Sequence, residues 1–371
     1  MDHRKNLASG PAILVTGGAG YVGAHTAKAL AERGYIPIVF DNLSSGHREA
    51  VRWGPFVHGD IRDSKGLFEV MEIYKVQAVI HFASLIEVGR SVARPDLFWE
   101  QNLTGSANLL AVMKTLGVTR LVFSSSAAVY GQPNRSALQA IVETDTKDPS
   151  SPYGDTKLAC ERLIAAHAKA FGMTTIALRY FNASGADPSG LIGEAHHPET
   201  HLIPLAIASA LSGKKPLTVF GDDFDTPDGT CIRDYIHVSD LAQAHIAALE
   251  SALPVGAFEA VNVGAGHGHS VTDVLKAVGR VSGRPVPFIM GKRRPGDPPG
   301  LVADPSLAKE LFGWSARNRI STRSLRMRIG GIVIPLTVPT RRRVRPWVLR
   351  QHKMMRFKLR REDNKHYSKC S

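Results

Sequence analysis

Ser151-Pro152-Tyr153-Gly154-Asp155-Thr156-Lys157 sets a phenol and an ammonium four residues apart. Leu158, Ala159, Leu163 and Ile164 continue at helical spacing, and a helix puts positions i and i+4 on one face, so Tyr153 and Lys157 project together. A free tyrosine titrates near a pKa of about 10, and a fixed positive charge beside it favours the phenolate. The pair is therefore expected to act as a general base near neutral pH. The same spacing also arises on solvated helices, so its chemistry depends on what the rest of the chain brings to it.

Near the amino end, Ala12-Ile13-Leu14-Val15 reads as a short buried strand and Ala24 to Arg33 as a helix closed by Gly34. Between them stands Thr16-Gly17-Gly18-Ala19-Gly20-Tyr21-Val22-Gly23. Gly17, Gly20 and Gly23 allow the backbone to approach a pyrophosphate, whose charge is met by the free amides of the helix start. A second strand, Ile36 to Phe40, ends at Asp41, placed to accept the ribose hydroxyls of an adenosine. A carboxylate there repels a 2′-phosphate, which favours NAD over NADP.

Further strands deliver more of a cofactor cleft. Phe56 to Ile61 sets Asp60 and Ile61 where an adenine can be held, and Ala78 to Ser84 leaves Phe82 and Ala83 at a carboxyl end. His81, inside that strand, reads as a core histidine bonded to backbone. Pro95 to Met113 is helical and carries the polar Asn102, and Arg120 to Phe123 delivers Ser124, Ser125 and Ser126 at a strand's carboxyl end. Thr174 to Tyr180 is another strand, followed by the loop Asn182 to Gly185. From about Ala183 prolines and glycines become denser and loops lengthen. The expected fold is α/β, a Rossmann-type doubly wound parallel sheet with a smaller C-terminal substrate-binding lobe. Its NAD-binding domain spans 1–182 and its lobe 183–316, some segments of which return to the sheet. His196, His197 and His201, with His167 upstream, lack the i, i+4 spacing of a helical zinc site, so they read as a solvated loop and no metal is expected.

The formal charge of +13 invites a nucleic-acid reading, but its position argues otherwise. From Arg317 to Ser371 there are 17 Lys+Arg against Glu362 and Asp363, which leaves the preceding chain close to neutral. Cys160, Cys231 and Cys370 are too few and scattered for a disulfide framework, and no Cys-x-x-Cys occurs. Met1 to Gly10 has no apolar core of signal-peptide length, and no run approaches the roughly 20 apolar residues of a membrane span. A cytoplasmic protein is expected.

Taken together, Thr16 to Gly23, the Ser126/Tyr153/Lys157 set, Arg179-Tyr180-Phe181-Asn182, Asp228 to Val238 and Arg293-Arg294-Pro295-Gly296-Asp297 resemble the extended short-chain dehydrogenase/reductases. Within them they are most similar to the UDP-glucose 4-epimerases. The resemblance runs from about Ala12 to Trp314. It implies an enzyme that holds NAD and interconverts UDP-glucose and UDP-galactose through a transient 4-keto sugar. By that likeness Tyr153 takes and returns the proton of the sugar 4-hydroxyl, Ser126 bonds the 4-oxygen, and Lys157 orients the nicotinamide ribose. It also implies NAD contacts at Gly17, Gly20, Tyr21, Val22, Gly23, Asp41, Asn42, Asp60, Ile61, Phe82, Ala83, Asn102, Lys157, Tyr180 and Phe181. UDP-sugar contacts fall on Ser126, Tyr153, Asn182, Leu202, Phe220, Arg233, Arg294 and Asp297, with His201 standing where a relative has Asn. A homodimer is implied, through helices near Leu97 to Met113 and Lys157 to Ala170.

The arginines make sense without the likeness. A diphosphate in a partly dry cleft suits planar bidentate donors, which Arg233 and Arg294 supply, whereas Asp234 and Asp297 offer them ordinary salt bridges. Ile86 and Glu87 stand where some relatives place a lysine near the nicotinamide. Leu301, at the position gating acetylated sugars, is neither large and aromatic nor small. Other UDP-sugars (pentose, uronate or N-acetylhexosamine) are therefore alternatives. A 4,6-dehydratase would want acidic residues after the serine, where this chain has Ala127 and Ala128. A non-catalytic NAD-binding module with a nucleic-acid-contacting tail is the rival from another class. The tail, 317–371, departs from the family's acidic final helix, and Pro335, Pro339 and Pro346 oppose a long helix. It reads as the product of a shifted frame, as a disordered basic arm with nonspecific affinity for nucleic acid, or as a folded replacement.

Overall fold

A computed structural model of the chain describes residues 10–133, 135–213, 215–294 and 296–317, together with the backbone of 326–329 and 332–335. In chain order the strands are β1 (Ala12–Thr16), β2 (Ile36–Asp41), β3 (Phe56–His58), β4 (Ala78–His81), β5 (Arg120–Ser126), β6 (Thr174–Tyr180), β7 (Asn182–Ser184), β8 (Leu217–Phe220), β9 (Ile232–His237), β10 (Phe258–Val263), β11 (Gly268–Ser270), β12 (Phe288–Gly291) and β13 (Gly300–Leu301). The helices are α1 (Tyr21–Glu32), α2 (Ser64–Ile73), α3 (Val88–Ala93), α4 (Pro95–Phe98), α5 (Gly105–Leu116), α6 (Pro152–Phe171), α7 (Leu202–Ser212), α8 (Val238–Glu250), α9 (Val271–Ser282) and α10 (Ser306–Phe312).

Seven strands form one parallel sheet in the order β10-β6-β5-β4-β1-β2-β3. Alternation along each strand sends side chains to opposite faces, and both faces are covered. Leu14, Ile38, Val79 and Phe123 meet Leu67, Leu109, Met113 and Ile164 from α2, α5 and α6. Ile13, Val15, Ile80 and Val122 meet Leu30, Leu241 and Leu249 from α1 and α8. Each such fully buried side chain contributes about 1.5–3 kcal/mol of hydrophobic stabilisation. The strand order of this sheet reverses between β1 and β4. That reversal opens a crevice at the strands' carboxyl ends.

The segments after Ala183 are interleaved. β10 and α8 return to the large sheet, while α7 and α9 pack together over β8 with a core of their own, including Ile203, Ile207, Leu217, Val219, Val274 and Val278. β9 links the two parts: Asn182 pairs with Tyr235, and Arg233 pairs with Leu301 and with His269.

The helical stretch Pro95 to Met113 is less regular than its sequence suggests, since Trp99 to Thr104 forms a π-turn between α4 and α5. The wider turn places Asn102, which is fully buried, against the loop after β4. Of the tail, Arg326–Ile329 and Ile332–Pro335 pair as an antiparallel hairpin. The expectations of a disordered or frame-shifted tail otherwise lie outside the described residues. Trp314, before it, and Arg317, its first residue, are docked on α8: Trp314 Nε1 donates to Asp240 O at 3.1 Å, and Arg317 N to Asp240 Oδ2 at 3.0 Å.

Candidate active site

At the exit of β1 the chain turns on Gly17, at a φ of +70°, where an added Cβ would lie 2.6 Å from Ala83 N. Gly23 packs directly over Gly17 O, which also leaves no room for a side chain. Gly20 differs: its backbone is extended, and a Cβ there meets only Gly17 O, at 3.3 Å. The free space beside Gly20 belongs to the cleft. α1 begins at this glycine with no side-chain cap and no acidic residue in its first turn. Its amino end is thus an uncompensated positive pole facing that space.

The contrast gives a prediction. Gly17→Ala should destabilise the fold, because a φ in the left-handed region and a backbone clash coincide. Gly20→Ala should leave stability within about 0.5 kcal/mol while weakening NAD binding by about tenfold or more. Denaturant unfolding alongside NAD titration separates the two; equal loss of NAD affinity and stability in both variants would contradict the assignment.

The cleft, about 310 Å³, is lined by Gly17, Gly20, Tyr21, Val22, Gly23, Asp41, Asn42, Asp60, Ile61, Phe82, Ala83, Ser126, Tyr153, Tyr180, Phe181, Asn182 and His201 among others. Asp41 accepts from Ala19 N at 3.0 Å and Leu43 N at 2.8 Å, which leaves lone pairs on both oxygens for further donors. Burial raises its pKa, against those two amides. Asn42 donates to Asp60 Oδ2 at 2.8 Å, and the Arg62 guanidinium beside Asp60 brings that carboxyl down to about 2.

α6 starts where Ser151 Oγ accepts from Gly154 N at 3.2 Å and Pro152 occupies the first turn. Tyr153 thereby sits on the cleft wall with Ser126, and Lys157 lies one turn below, buried. Lys157 Nζ donates to Ser84 Oγ at 2.9 Å and to Ser124 O at 2.7 Å, and stands 5.9 Å from the centre of the Tyr153 ring. The charge balance corrects the expectation from helical spacing. Burial pushes the Tyr153 phenol well above its ordinary value, the neighbouring Tyr180 adds to the rise, and the Ser126 hydroxyl only partly opposes it. Lys157, for its part, is lowered to about 8 by burial.

That lowering has a sign that can be checked. Between about pH 8 and the ordinary lysine range near 10.4, the unfolded chain holds a proton that folded Lys157 has shed. Its contribution to stability is therefore present above the unfolded pKa and lost as pH falls through about 8. Relative to Lys157→Met, the wild-type chain should gain about 1.4 kcal/mol per pH unit across that window. Urea unfolding of both at several pH values reads the difference, and parallel pH profiles would refute it.

Under the serines of β5 lies a buried polar network. Glu161, one further turn along α6, accepts from Ser125 Oγ at 2.5 Å and from Arg179 Nε at 2.9 Å and Nη2 at 2.6 Å. Arg179 Nη1 reaches Tyr130 OH at 2.9 Å, which donates to Asn262 Oδ1 at 2.7 Å. Tyr153, Lys157 and Glu161 form one stripe on α6, and helical spacing alone singles out only the first two for chemistry. The Glu161–Arg179 partnership has no sequence signal, because the two residues come from different elements.

Other expected residues stand elsewhere. Asn102 is not in the cleft lining: it accepts from Leu85 N at 2.8 Å and donates to Leu85 O at 3.1 Å and Thr156 Oγ1 at 3.0 Å, bracing the loop after β4 against α6. His81 is a core histidine, but its partners are side chains, Thr16 Oγ1 at 2.6 Å and Ser106 Oγ at 3.0 Å. Leu202, Phe220, Arg233, Arg294 and Asp297 lie in the α7–β9–β13 region outside the lining of the cleft. Arg233 donates to Ile232 O and Pro298 O and stands 3.7 Å from Asp297, and Arg294 stacks 4.0 Å over Phe220. Asp234 is not their partner; it is fully buried and accepts from Ala265, Gly266 and Ala303 amides.

The histidine segment is not a solvated loop. The chain folds back so that Glu194, His196, Glu199 and His201 meet, with His201 Nδ1 2.8 Å from Glu194 Oε1 and 3.1 Å from Glu199 Oε1. Burial alone would lower the His201 pKa, but these two carboxylates outweigh it and hold the ring up at about 10. His167 is remote from the group, on α6 and bonded to Leu163 O.

A family model described as the NAD dependent epimerase/dehydratase family matches residues 13–264. The chain belongs to that family. A UDP-glucose 4-epimerase of Rhizobium leguminosarum bv. trifolii is 49% identical over 306 residues, 82% of this chain and 93% of the relative. One of Rhizobium meliloti (strain 1021) is 47% identical, over 81% and 91%. Among solved structures, a UDP-glucose 4-epimerase from Brucella ovis in complex with NAD superposes with a TM-score of 0.81 at 50% identity, covering 85% of this chain and 97% of that one. One from Bifidobacterium longum in complex with NAD+ and UDP gives 0.80 at 38% identity, covering 85% and 96%. The glycine cradle at Gly20 and the uncapped start of α1 fit the cofactor of this epimerase family, NAD.

Proposed function

We propose that this chain catalyses the NAD-dependent interconversion of UDP-glucose and UDP-galactose at C4. The observation that carries this reading is the convergence of Tyr153 and Ser126 on the cleft at the strands' carboxyl ends, where the sheet order reverses between β1 and β4. Bound NAD in its oxidised form supplies the acceptor for the C4 hydride and brings a positive charge into the cleft. Gly17, Gly20 and Gly23 with the α1 amides hold its pyrophosphate, and Asp41 takes adenosine ribose hydroxyls. Lys157, already fixed by Ser84 and Ser124, offers its remaining donor to the nicotinamide ribose. Tyr153 would remove the 4-hydroxyl proton and later return it, with Ser126 bonding the 4-oxygen at each step and releasing it in between, while the 4-keto sugar turns its opposite face to the cofactor side of the cleft. The sugar would regain its proton and, on the opposite face of C4, its hydride, so the carbon is inverted with no net redox.

Ala127, directly after Ser126, is buried in a tight turn, so no carboxylate stands there to move protons at C5 and C6 as a dehydratase requires. The elements outside the sheet between 183 and 316 form the substrate-binding lobe, with Asn182 on the cleft wall, Arg233 and Arg294 available to a diphosphate after rearrangement of their present contacts, and Asp297 available to hydroxyl or N–H donors of the UDP-sugar. Leu301 belongs to one apolar cluster with Tyr130 and Phe181, and the cleft-lining Phe181 connects it to the space read here as the sugar site. Val92, Val88 and Trp99 expose apolar surface on α3 and the π-turn, which favours a homodimer through this side. The test is conversion of UDP-galactose to UDP-glucose by purified protein without added reductant. Turnover supports the reading; a folded, NAD-loaded protein that converts neither sugar, or needs a reductant consumed in proportion to product, rejects it.

A further inference from the structure

Glu194, His196, Glu199 and His201 each turn one donor atom inward, and those four atoms all lie within 4.8 Å of one another. The four separations between a ring Nδ1 and a carboxylate oxygen are 2.8, 3.1, 3.4 and 3.8 Å. Nitrogen and oxygen ligands about 2.0–2.2 Å from a tetrahedral Zn²⁺ stand about 3.3–3.5 Å apart. The 3.1, 3.4 and 3.8 Å separations lie near that spacing, with Glu199 turning Oε1 to His201 and Oε2 to His196. The 2.8 Å contact is closer and the group spreads to at most 4.8 Å, so small side-chain shifts bring four donors around one ion. The ligand types match as well, since two carboxylates and two imidazoles neutralise a divalent charge.

A second observation points the same way. His196 Nδ1 is shielded from solvent and makes no hydrogen bond, although it faces both carboxylates. The surroundings hold the ligands in place. Glu199 Oε1 accepts from Thr200 N at 2.8 Å and His201 N at 2.9 Å, and the His196 ring meets Tyr21 edge-on at 6.3 Å. A cavity of about 830 Å³ lined by His196, Glu199 and Tyr21 gives an ion a route in.

We propose that these four residues bind one divalent cation of the Zn²⁺ class as a structural clasp. Four protein ligands fill a tetrahedron and leave no position for a reacting water, so the ion holds structure and performs no chemistry. His201 is the residue from which α7 begins, and Glu194 and His201 both line the substrate cleft. The ion ties the two ends of the 194–201 loop together at the cleft's rim.

The test uses Co²⁺ on the chelator-treated full chain, with absorption as the readout, so it does not depend on epimerase turnover. The expected result is saturation at one Co²⁺ per chain with the intense visible bands of four-coordinate cobalt, which Zn²⁺ then removes. Glu199→Gln, which keeps the side chain's shape, and His196→Asn should each weaken binding by more than about 100-fold, while His167→Asn should not. Zn²⁺ should also raise the melting temperature of the wild-type chain and not that of Glu199→Gln. No saturable Co²⁺ binding, a weak six-coordinate spectrum, or equal affinity and equal Zn²⁺ stabilisation in wild type and Glu199→Gln would each overturn the proposal and leave the cluster a histidine–carboxylate ion-pair network.

Discussion

Tyr153→Phe is expected to lower the turnover of UDP-galactose by about 10²- to 10⁴-fold, the usual share of a positioned acid–base group. The substitution removes only a hydroxyl. The ring stays packed near Phe98, at 6.5 Å between centroids, and Lys157 keeps its bonds to Ser84 and Ser124. NAD content and unfolding midpoint should therefore stay near wild type. Ser126→Ala should cost less, because in the proposed mechanism Ser126 bonds the 4-oxygen and Tyr153 carries the proton, although the variant also loses the bond that Ala128 N donates to the Ser126 hydroxyl at 3.1 Å. Measuring kcat and bound NAD together makes the result decisive. Full turnover by NAD-loaded Tyr153→Phe would remove Tyr153 from the mechanism, and loss of NAD in step with turnover would make it a packing residue.

Glu161→Ala should destabilise the chain by about 3–5 kcal/mol, because it leaves the Arg179 guanidinium buried without its carboxylate. The ion pair is nearly dry, with side-chain exposures of 5% for Arg179 and 3% for Glu161. The loss spreads beyond the pair, since Ser125 and Tyr130 are bonded to its two members. Glu161→Gln, which keeps one acceptor, should lose less. Urea unfolding of both variants is the measurement, and a change under about 1 kcal/mol in Glu161→Ala would mean that the network is solvated or otherwise compensated. Double substitution with Arg179→Met should recover part of the loss, as removing a whole buried pair costs less than orphaning one half.

The legible part of this protein is the part written in local periodicity. Strand, glycine turn and helix follow one another between Ala12 and Glu32, and Tyr153 and Lys157 share a helical face, so both features can be read directly from residue order. The direction in which the Tyr153 phenol shifts cannot, because a helical wheel shows a neighbouring charge and not the depth of burial. The glutamate–histidine cluster is hidden for another reason. Its members follow no helical or strand repeat, and only an irregular loop folds them onto each other. Asn102 shows a third limit: its polarity marks it as notable, but its partners, Leu85 and Thr156, are set by how the π-turn meets α6. For Arg233 the ordinary salt-bridge partner, Asp297, is the closer guide, and Asp234 is claimed by backbone amides that no sequence pattern announces.

One helix carries the phenol proposed to move the proton, the ammonium proposed to meet the ribose and the strut that ties it to the sheet, at consecutive turns of α6. These three functions share a single angular reference. A one-residue insertion between Tyr153 and Lys157 would swing the later pair about 100° around the helix axis relative to the phenol, while one before Ser151 would leave their mutual alignment whole. Tolerance to length change along this stretch is accordingly stepwise: an insertion ahead of the serine leaves the three groups in register, whereas the segment from Tyr153 to Glu161 acts as a ruler whose length sets their alignment.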